Sequence, residues 1–386
     1  MIDHSRPDDS PKRSPHRLRI GFLVVCLICT HARAELNCQA VVLKNTISGR
    51  VKCQVCRIRV NEIARIGDKG GTIVEWPQSI WQDSKGRFFV MQPNQGEPPQ
   101  VYSSTGRFLR TLGREGSGPG EYRNAAIVFG DARDTVFVVD WGTSRLTVLG
   151  PSLQLVRSFP IPASTLSGSI LSDGSLVVNA TVEDRATVGL PFHLFDRGGK
   201  RFTAKGDKTR PYVPSTQHLF AYRLSPSLAG GFWAFPFLGR YELELWRGDS
   251  LAVYTRESVA WFVTAPARLT RADGPAGPPI SWINGGWEDS SGLLWVVARV
   301  ADSRGPGSQE LIRGPEGNYS VPKDADRDYD TMIEVIDPKS KVVLVSQRFD
   351  NLFALVVGKG KVAQVEEMKD GRLEVRVFEV SLERRP

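Results

Sequence analysis

Short apolar runs punctuate this chain along most of its length. GRFFV, TVFVVD, SLVVNA, GFWAFPF, YELELW, SLAVYT, GLLWVVARV, TMIEVID, KVVLVSQRF, LFALVVG and RLEVRVFEV are rich in Val, Phe, Trp, Leu and Tyr. Gly, Asp, Ser or Pro bounds each of them, so they read as β-strands between turns. The i, i+3, i+4 spacing of an amphipathic helix is almost absent. So many short strands predict a repeating all-β architecture rather than one sandwich.

A repeat is visible. PQSIWQDSKGRFFVMQ followed by VYSSTGRFLRTLG makes one unit, and AAIVFGDARDTVFVVDWGTSRLTVLGPSLQLVRSF makes the next. Each has an Asp-containing turn, Asp83–Gly86 and Asp131–Asp134, then a hydrophobic strand, a third strand and a turn into a fourth. A third unit starts at SILSDGSLVVNA and resumes at FHLFDRGGKRFTAKG; LAGGFWAFPFLGRYELELWRGDSLAVYTR is a fourth. The fifth joins GGWEDSSGLLWVVARV to TMIEVIDPKSKVVLVSQRF, and the sixth, from Asn351, offers only three strands. RIRVNEIARIG near the N-terminus, with Ile58, Val60, Ala64 and Ile66 at even spacing, supplies the missing one. The prediction is a six-bladed β-propeller of four-stranded blades over residues 57–386, its ring closed by an N-terminal strand in the last blade. Truncating either end should then open the ring. Two unrelated β domains are the rival, but no linker-like stretch divides the chain.

The first two units resemble NHL-type six-bladed propellers. Pro77, Ile80, Asp83, Gly86, Phe89-Val90 and Gly106 match one repeat; Val138-Val139-Asp140, Gly142, Arg145-Leu146 and Val148 match the next. Thr143-Ser144 stand where such repeats carry Asn. LGREGSGPGEYRN, residues 112–124, is similar to the inter-blade Gly-Pro-Gly loop of bacterial exported six-bladed β-propeller proteins, and the CxxC before RIRVNEIARIGD is similar to their start. The match covers roughly residues 52–160; later units match only in strand rhythm. The loop has the glycines of a phosphate cradle, but a cradle delivers a helix N-terminus and AAIVFG reads as a strand. A tight crossing between blades, with Gly at positive φ, fits better.

The N-terminus stands apart. Arg13, Arg17 and Arg19 precede the 11-residue apolar run Ile20–Thr30, and Ala32-Arg33-Ala34 follows. This is the pattern of a secretory signal peptide over residues 1–34, removed after Ala34, with an uncleaved anchor as the alternative. The run is too short to span a bilayer, which takes about 20 residues, and no transmembrane segment is expected in the mature chain. Export to the periplasm or beyond follows. The full chain carries 50 Lys+Arg against 42 Asp+Glu, interspersed without a basic stripe, which argues against a nucleic-acid partner.

Cys38, Cys53 and Cys56 fall in an N-terminal segment, residues 35–56, and are the disulfide candidates. Haem attachment would need His after the CxxC, where Arg57 stands; zinc needs four ligands, and no His lies nearby in the mature chain. Cys53 and Cys56 can bridge only through a turn, since an extended segment would hold their Cα atoms about 10 Å apart. A structural clip and free thiols both remain open.

Residues for catalysis are few. His193, in PFHLFD, reads as a packed strand residue, His218 is uncommitted, and no Gly-x-Ser-x-Gly elbow is present. Glu75-Trp76-Pro77, with Trp81 following, loosely resembles the metal-binding motif of gluconolactonase-type propellers, which makes Glu75 a candidate metal and ligand contact. Oxygen donors of that kind suit Ca2+ or another divalent ion. The run Asp324, Asp326, Asp328, Asp330 lacks the Gly and Glu of an EF-hand and reads as a solvated loop within a long polar insertion, 303–330. Asp140, Trp141, Arg145, Trp282 and Trp287 complete the ligand-binding candidates; the tryptophans stand at or beside predicted strand ends. The sequence thus predicts a module that binds a peptide, protein or glycan across a central funnel, with no cofactor and no catalysis assigned. A divalent-metal hydrolase or lyase is the alternative.

Overall fold

The computed structural model describes residues 41–67, 73, 75–92, 96–182, 187–207, 220–237, 240–257, 259–264, 279–304, 312–313, 319–320 and 329–384. All belong to the unit Gln39–Pro386. The predicted signal peptide and Cys38 lie outside the described residues.

Among the described residues there is no α-helix. The strands are β1 (Val41–Val51), β2 (Cys56–Ile66), β3 (Ser79–Gln82), β4 (Phe88–Met91), β5 (Gln100–Tyr102), β6 (Phe108–Thr111), β7 (Arg114–Glu115), β8 (Glu121–Tyr122), β9 (Ala125–Gly130) and β10 (Val136–Asp140). They continue with β11 (Arg145–Leu149), β12 (Leu155–Pro160), β13 (Ser167–Ile170), β14 (Leu176–Asn179), β15 (Phe192–Phe195), β16 (Arg201–Lys205), β17 (Tyr222–Pro226), β18 (Phe232–Pro236), β19 (Glu242–Arg247) and β20 (Ser250–Arg256). The last are β21 (Trp282–Glu288), β22 (Leu294–Ala301), β23 (Ile312–Arg313), β24 (Tyr319–Ser320), β25 (Tyr329–Asp337), β26 (Val342–Phe349), β27 (Leu355–Val356), β28 (Lys361–Glu367) and β29 (Leu373–Arg384).

Four sheets have four strands each, β3–β6, β9–β12, β13–β16 and β2-β29-β28-β27. The fourth and fifth predicted units also form antiparallel sets of four, but they are joined. β1 pairs parallel with β20 from Val41↔Ser250 to Ile47↔Arg256, then with β26 from Ser48↔Val342 to Val51↔Val343. The product is one nine-stranded sheet, where the sequence predicted separate four-stranded blades. β1 escaped notice because it lacks alternation: Ile47 is fully buried while Val42 and Leu43 are exposed. Two foreign strand edges hold it through the backbone. β2 runs antiparallel to β29 from Cys56↔Arg384 to Ile66↔Val375, so strands from the two ends of the chain share one sheet.

Most central strands are buried at nearly every position, because each sheet is covered on both faces. Alternate side chains then serve two cores. Phe88 and Val90 pack with Val365 and Val375, while Phe89 and Met91 pack with Val128 and Val138. Likewise Phe232 and Ala234 face Val177 and Phe192, while Trp233 and Phe235 face Ile283 and Val296. Phe129 and Phe137 meet Leu176 and Val178, and Trp295 and Val297 meet Val362 and Phe378. The first strands of the sets lie side by side in the order β3, β9, β13, β17, β21, β27, and β27 lies beside β3. Stacked four-stranded sheets with their first strands at a common centre make a β-propeller.

Candidate functional site

The first strands surround a cavity of about 590 Å³, bordered among others by Gln78, Gly168, Arg223, Asn284, Val356 and Lys359. Several polar side chains there tie neighbouring sheets together. The Ser79 hydroxyl donates to the Val128 carbonyl at 3.1 Å, Ser167 donates to the Tyr222 carbonyl at 2.7 Å, and Asn284 Nδ2 donates to the Phe353 carbonyl at 2.8 Å. Carboxylates at the rim are engaged too. Glu288 Oε2 accepts from Ser227 Oγ at 2.8 Å, and from Leu228 N and Trp233 Nε1 at 3.0 Å; Asp83 pairs with Arg87 at 2.7 Å.

Arg223 is different. It is the second residue of β17; its Nη1 donates to the Leu166 carbonyl at 2.8 Å, and its guanidinium lies 4.8 Å from the Phe237 ring centroid. Burial lowers its pKa to about 10, so it remains a cation at neutral pH, and no charged side chain acts on it among the described residues. Other arginines have carboxylates: the buried Arg256 side chain meets Glu334 at 2.8 Å and the half-buried Arg348 meets Asp330 at 2.7 Å. A half-buried charge with no counter-ion among the described residues is costly, which sets Arg223 apart from the rest of the cavity lining. The buried Ser169 hydroxyl borders the same cavity and has no hydrogen-bond partner among the described residues.

The sequence-predicted residues fall mostly elsewhere. Glu75 is exposed, lies just before β3, and donates its backbone N–H to Gln92 Oε1 at 3.2 Å; it does not border the cavity. Among the described residues no three His, Cys, Asp or Glu side chains gather as a metal-ion set. Asp140 and Arg145 hold the Gly-Pro-Gly loop. The buried Asp140 carboxylate accepts from the N–H groups of Arg123 at 2.8 Å and of Asn124 and Gly142 at 2.9 Å. Arg145 Nη1 donates to the Ser117 carbonyl at 2.7 Å and the Gly118 carbonyl at 3.1 Å. The loop is thus a crossing between two sheets, bracketed by the short parallel pair β7 and β8. Gly113 has φ +74°, and a Cβ there would stand 2.1 Å from the Gly120 carbonyl oxygen, so only glycine fits.

The tryptophans pack. Trp141 Nε1 donates to the Thr165 carbonyl at 2.6 Å, and Trp287 borders the cavity while stacking on Trp295 at 5.4 Å. Trp282 lies edge-on to Phe237 at 5.0 Å beneath the Arg299 guanidinium at 5.1 Å, and its Nε1 is buried without a hydrogen-bond partner. His193 is fully buried within β15. His218, Asp324, Asp326 and Asp328 lie outside the described residues, as does most of the 303–330 insertion. Asp330 is described and buried, its Oδ2 held by Arg348. Cys53 and Cys56 form a disulfide across a bend, with Cα atoms 5.3 Å apart. Arg223 itself was overlooked. Its signal in the sequence is a lone charge inside FAYRLSP, ahead of the strand GFWAFPF.

No protein-family model matches this chain, and no curated protein matches it in sequence. Solved structures match it in fold. A Bacteroides fragilis protein designated exported superposes with a TM-score of 0.54 at 10% identity, over 90% of this chain and 100% of that one. A Bacteroides vulgatus member of the DUF4221 family superposes with a TM-score of 0.60 at 11% identity, over 86% of this chain and 99% of that one. At these identities the likeness is one of fold.

Proposed function

We propose that this protein is an exported six-bladed β-propeller that recognises a ligand, a peptide, protein or glycan, in its central cavity. Six apolar cores between successive sheets, the last uniting Val365 and Val375 with Phe88 and Val90, support a closed ring. The pairing of β2 with β29 supports closure through both chain ends. The leader over residues 1–34 supports export. The observation that carries the binding role is the cavity where the first strands converge, with the uncountered Arg223 in its wall.

A peptide and glycan array probed with the purified protein tests this reading. Gln78 is half-buried on the cavity wall, so Gln78→Trp is expected to plug the space and abolish capture. Phe202→Ser, on the exposed outer strand β16, is expected to leave capture intact. Capture unaffected by the plug would place the ligand elsewhere. One tightly held divalent ion per chain, with a fall in Tm on chelation, would instead favour the metal-dependent hydrolase or lyase.

A further inference from the structure

We infer that the cavity is selective for a ligand bearing a carboxylate, which docks on the free edge of the Arg223 guanidinium. This rests on the cavity being the ligand site. A guanidinium offers five N–H groups in a rigid plane, and among the described residues only Nη1 has an acceptor, the Leu166 carbonyl at 2.8 Å. The ring of Phe237 at 4.8 Å supports one face of that plane, so the group is held in orientation before any ligand arrives. A planar pair of N–H donors matches the two oxygens of a carboxylate.

Charge narrows the choice. Among the described residues no second charged side chain acts on Arg223 itself; the other cations that border the cavity, Lys359 and Lys361, stand after β27 and at the start of β28 rather than beside the guanidinium on β17. A monoanion neutralises the site. The surroundings suit an organic carboxylate more than a bare ion: Val356 and the backbone of Gly285 and Gly286 border the same space, and a cavity of about 590 Å³ holds far more than one small anion. The Ser169 hydroxyl and the Lys359 side chain, which border the same cavity, remain for polar groups further along the ligand.

The test uses the full purified protein and four probes: acetate, galacturonate, a tripeptide with a free C-terminus, and inorganic phosphate. Each is titrated in thermal-shift and calorimetric experiments against wild type, Arg223→Met, Arg223→Lys and Gln78→Trp. Galacturonate or the tripeptide is expected to raise Tm saturably, well above acetate or phosphate at equal ionic strength. The methyl ester of the first and the C-terminal amide of the second are expected to be inert. Arg223→Met should weaken binding about ten- to a hundredfold, the worth of a hydrogen-bonded charge. Its own Tm should stay level or rise, because a methionine removes the unpaired charge. If that variant does not fold, Arg223→Lys serves: it keeps the charge, loses the two-toothed edge, and is expected to bind more weakly than wild type.

Preference for galacturonate points to an acidic glycan, and preference for the tripeptide to a peptide C-terminus. Equal binding by wild type and Arg223→Met, or of ester and acid, overturns the carboxylate inference. If Gln78→Trp still abolishes that binding, the cavity remains the ligand site. Carboxylate binding that survives Gln78→Trp overturns the cavity reading as well. No shift with either organic acid also overturns the inference, while neutral ligands captured in a plug-sensitive way leave the binding module standing.

Discussion

Aspartates shape the turns of this molecule one residue at a time. Asp83 Oδ1 accepts the N–H of Arg87, Asp131 Oδ1 those of Arg133 and Thr135, and Asp289 Oδ1 those of Ser291 and Leu293. Each closes the hairpin between the first two strands of its set. Asp134 reaches across to the next sheet, where Ser84 donates both N–H and Oγ, at 2.8 and 2.6 Å. Hydrogen bonds from Ser84 hold the Asp134 carboxyl below its ordinary pKa of 3.8, and those from Ser175 do the same for Asp173. A depressed folded pKa means stability that is fully present above the unfolded value and lost as pH falls through the folded one. Urea unfolding should therefore give a flat contribution from these turns between pH 7 and about 5, and a decline that begins near pH 4 and continues below it. Ser84→Ala combined with Ser175→Ala should flatten that acid decline. Asp140→Ala should cost roughly 3 kcal/mol, because three N–H groups lose a charged acceptor; equilibrium denaturation measures it.

Among the elements, β1 is the one whose place its own sequence does not announce. Its fully buried Ile47 side chain enters the core shared by Trp233, Phe235, Ile283 and Val296. The rest of its hold comes from backbone pairing to β20 and β26. Those two edges would otherwise be exposed templates for association with another chain. Ile47→Ala is expected to lower stability by about 2–4 kcal/mol, the usual cost of emptying a buried isoleucine site, read from thermal unfolding. Close by, Arg256 and Glu334 form an enclosed ion pair, with Tyr241 donating to Glu334 at 2.6 Å. Burial raises the Glu334 carboxyl pKa, and Arg256 opposes that rise. Arg256→Met should therefore destabilise more than the neighbouring surface change Arg247→Met, since it strands a buried carboxylate.

At the scale of the molecule, stability depends on both ends of the chain meeting. β29 lies between β2 and β28 and supplies Val375, Val377, Phe378 and Val380 to two cores. Ending the chain after Arg372 removes all of these together. The expected product lacks cooperative unfolding by circular dichroism and elutes as aggregate in size-exclusion chromatography. A truncated chain that stays monomeric and melts cooperatively would refute the closed-ring reading.

Much of this was legible in the sequence because it is local. A strand covered on both faces must be apolar at successive positions, so FFVM, VFVVD and FWAFP declare themselves. A hairpin turn needs Asp or Gly at set offsets, so the repeat can be counted. The Gly-Pro-Gly loop is a crossing because Gly113 admits no Cβ, and that too is written in composition. The strand RIRVNEIARIG pairs at the opposite end of the chain because its even spacing matches a free edge of the last sheet. What tertiary structure alone decided is how polar groups are shared out. Asp140 and Arg145 look like ligand contacts in a linear reading, yet folding brings loop N–H and C=O groups to them first. Arg223 looks like an ordinary strand residue, yet among the described residues the fold gives it one carbonyl and one aromatic ring and no carboxylate. Apolar burial follows from each segment's own pattern, but whether a charge is answered depends on which distant strands the fold sets beside it.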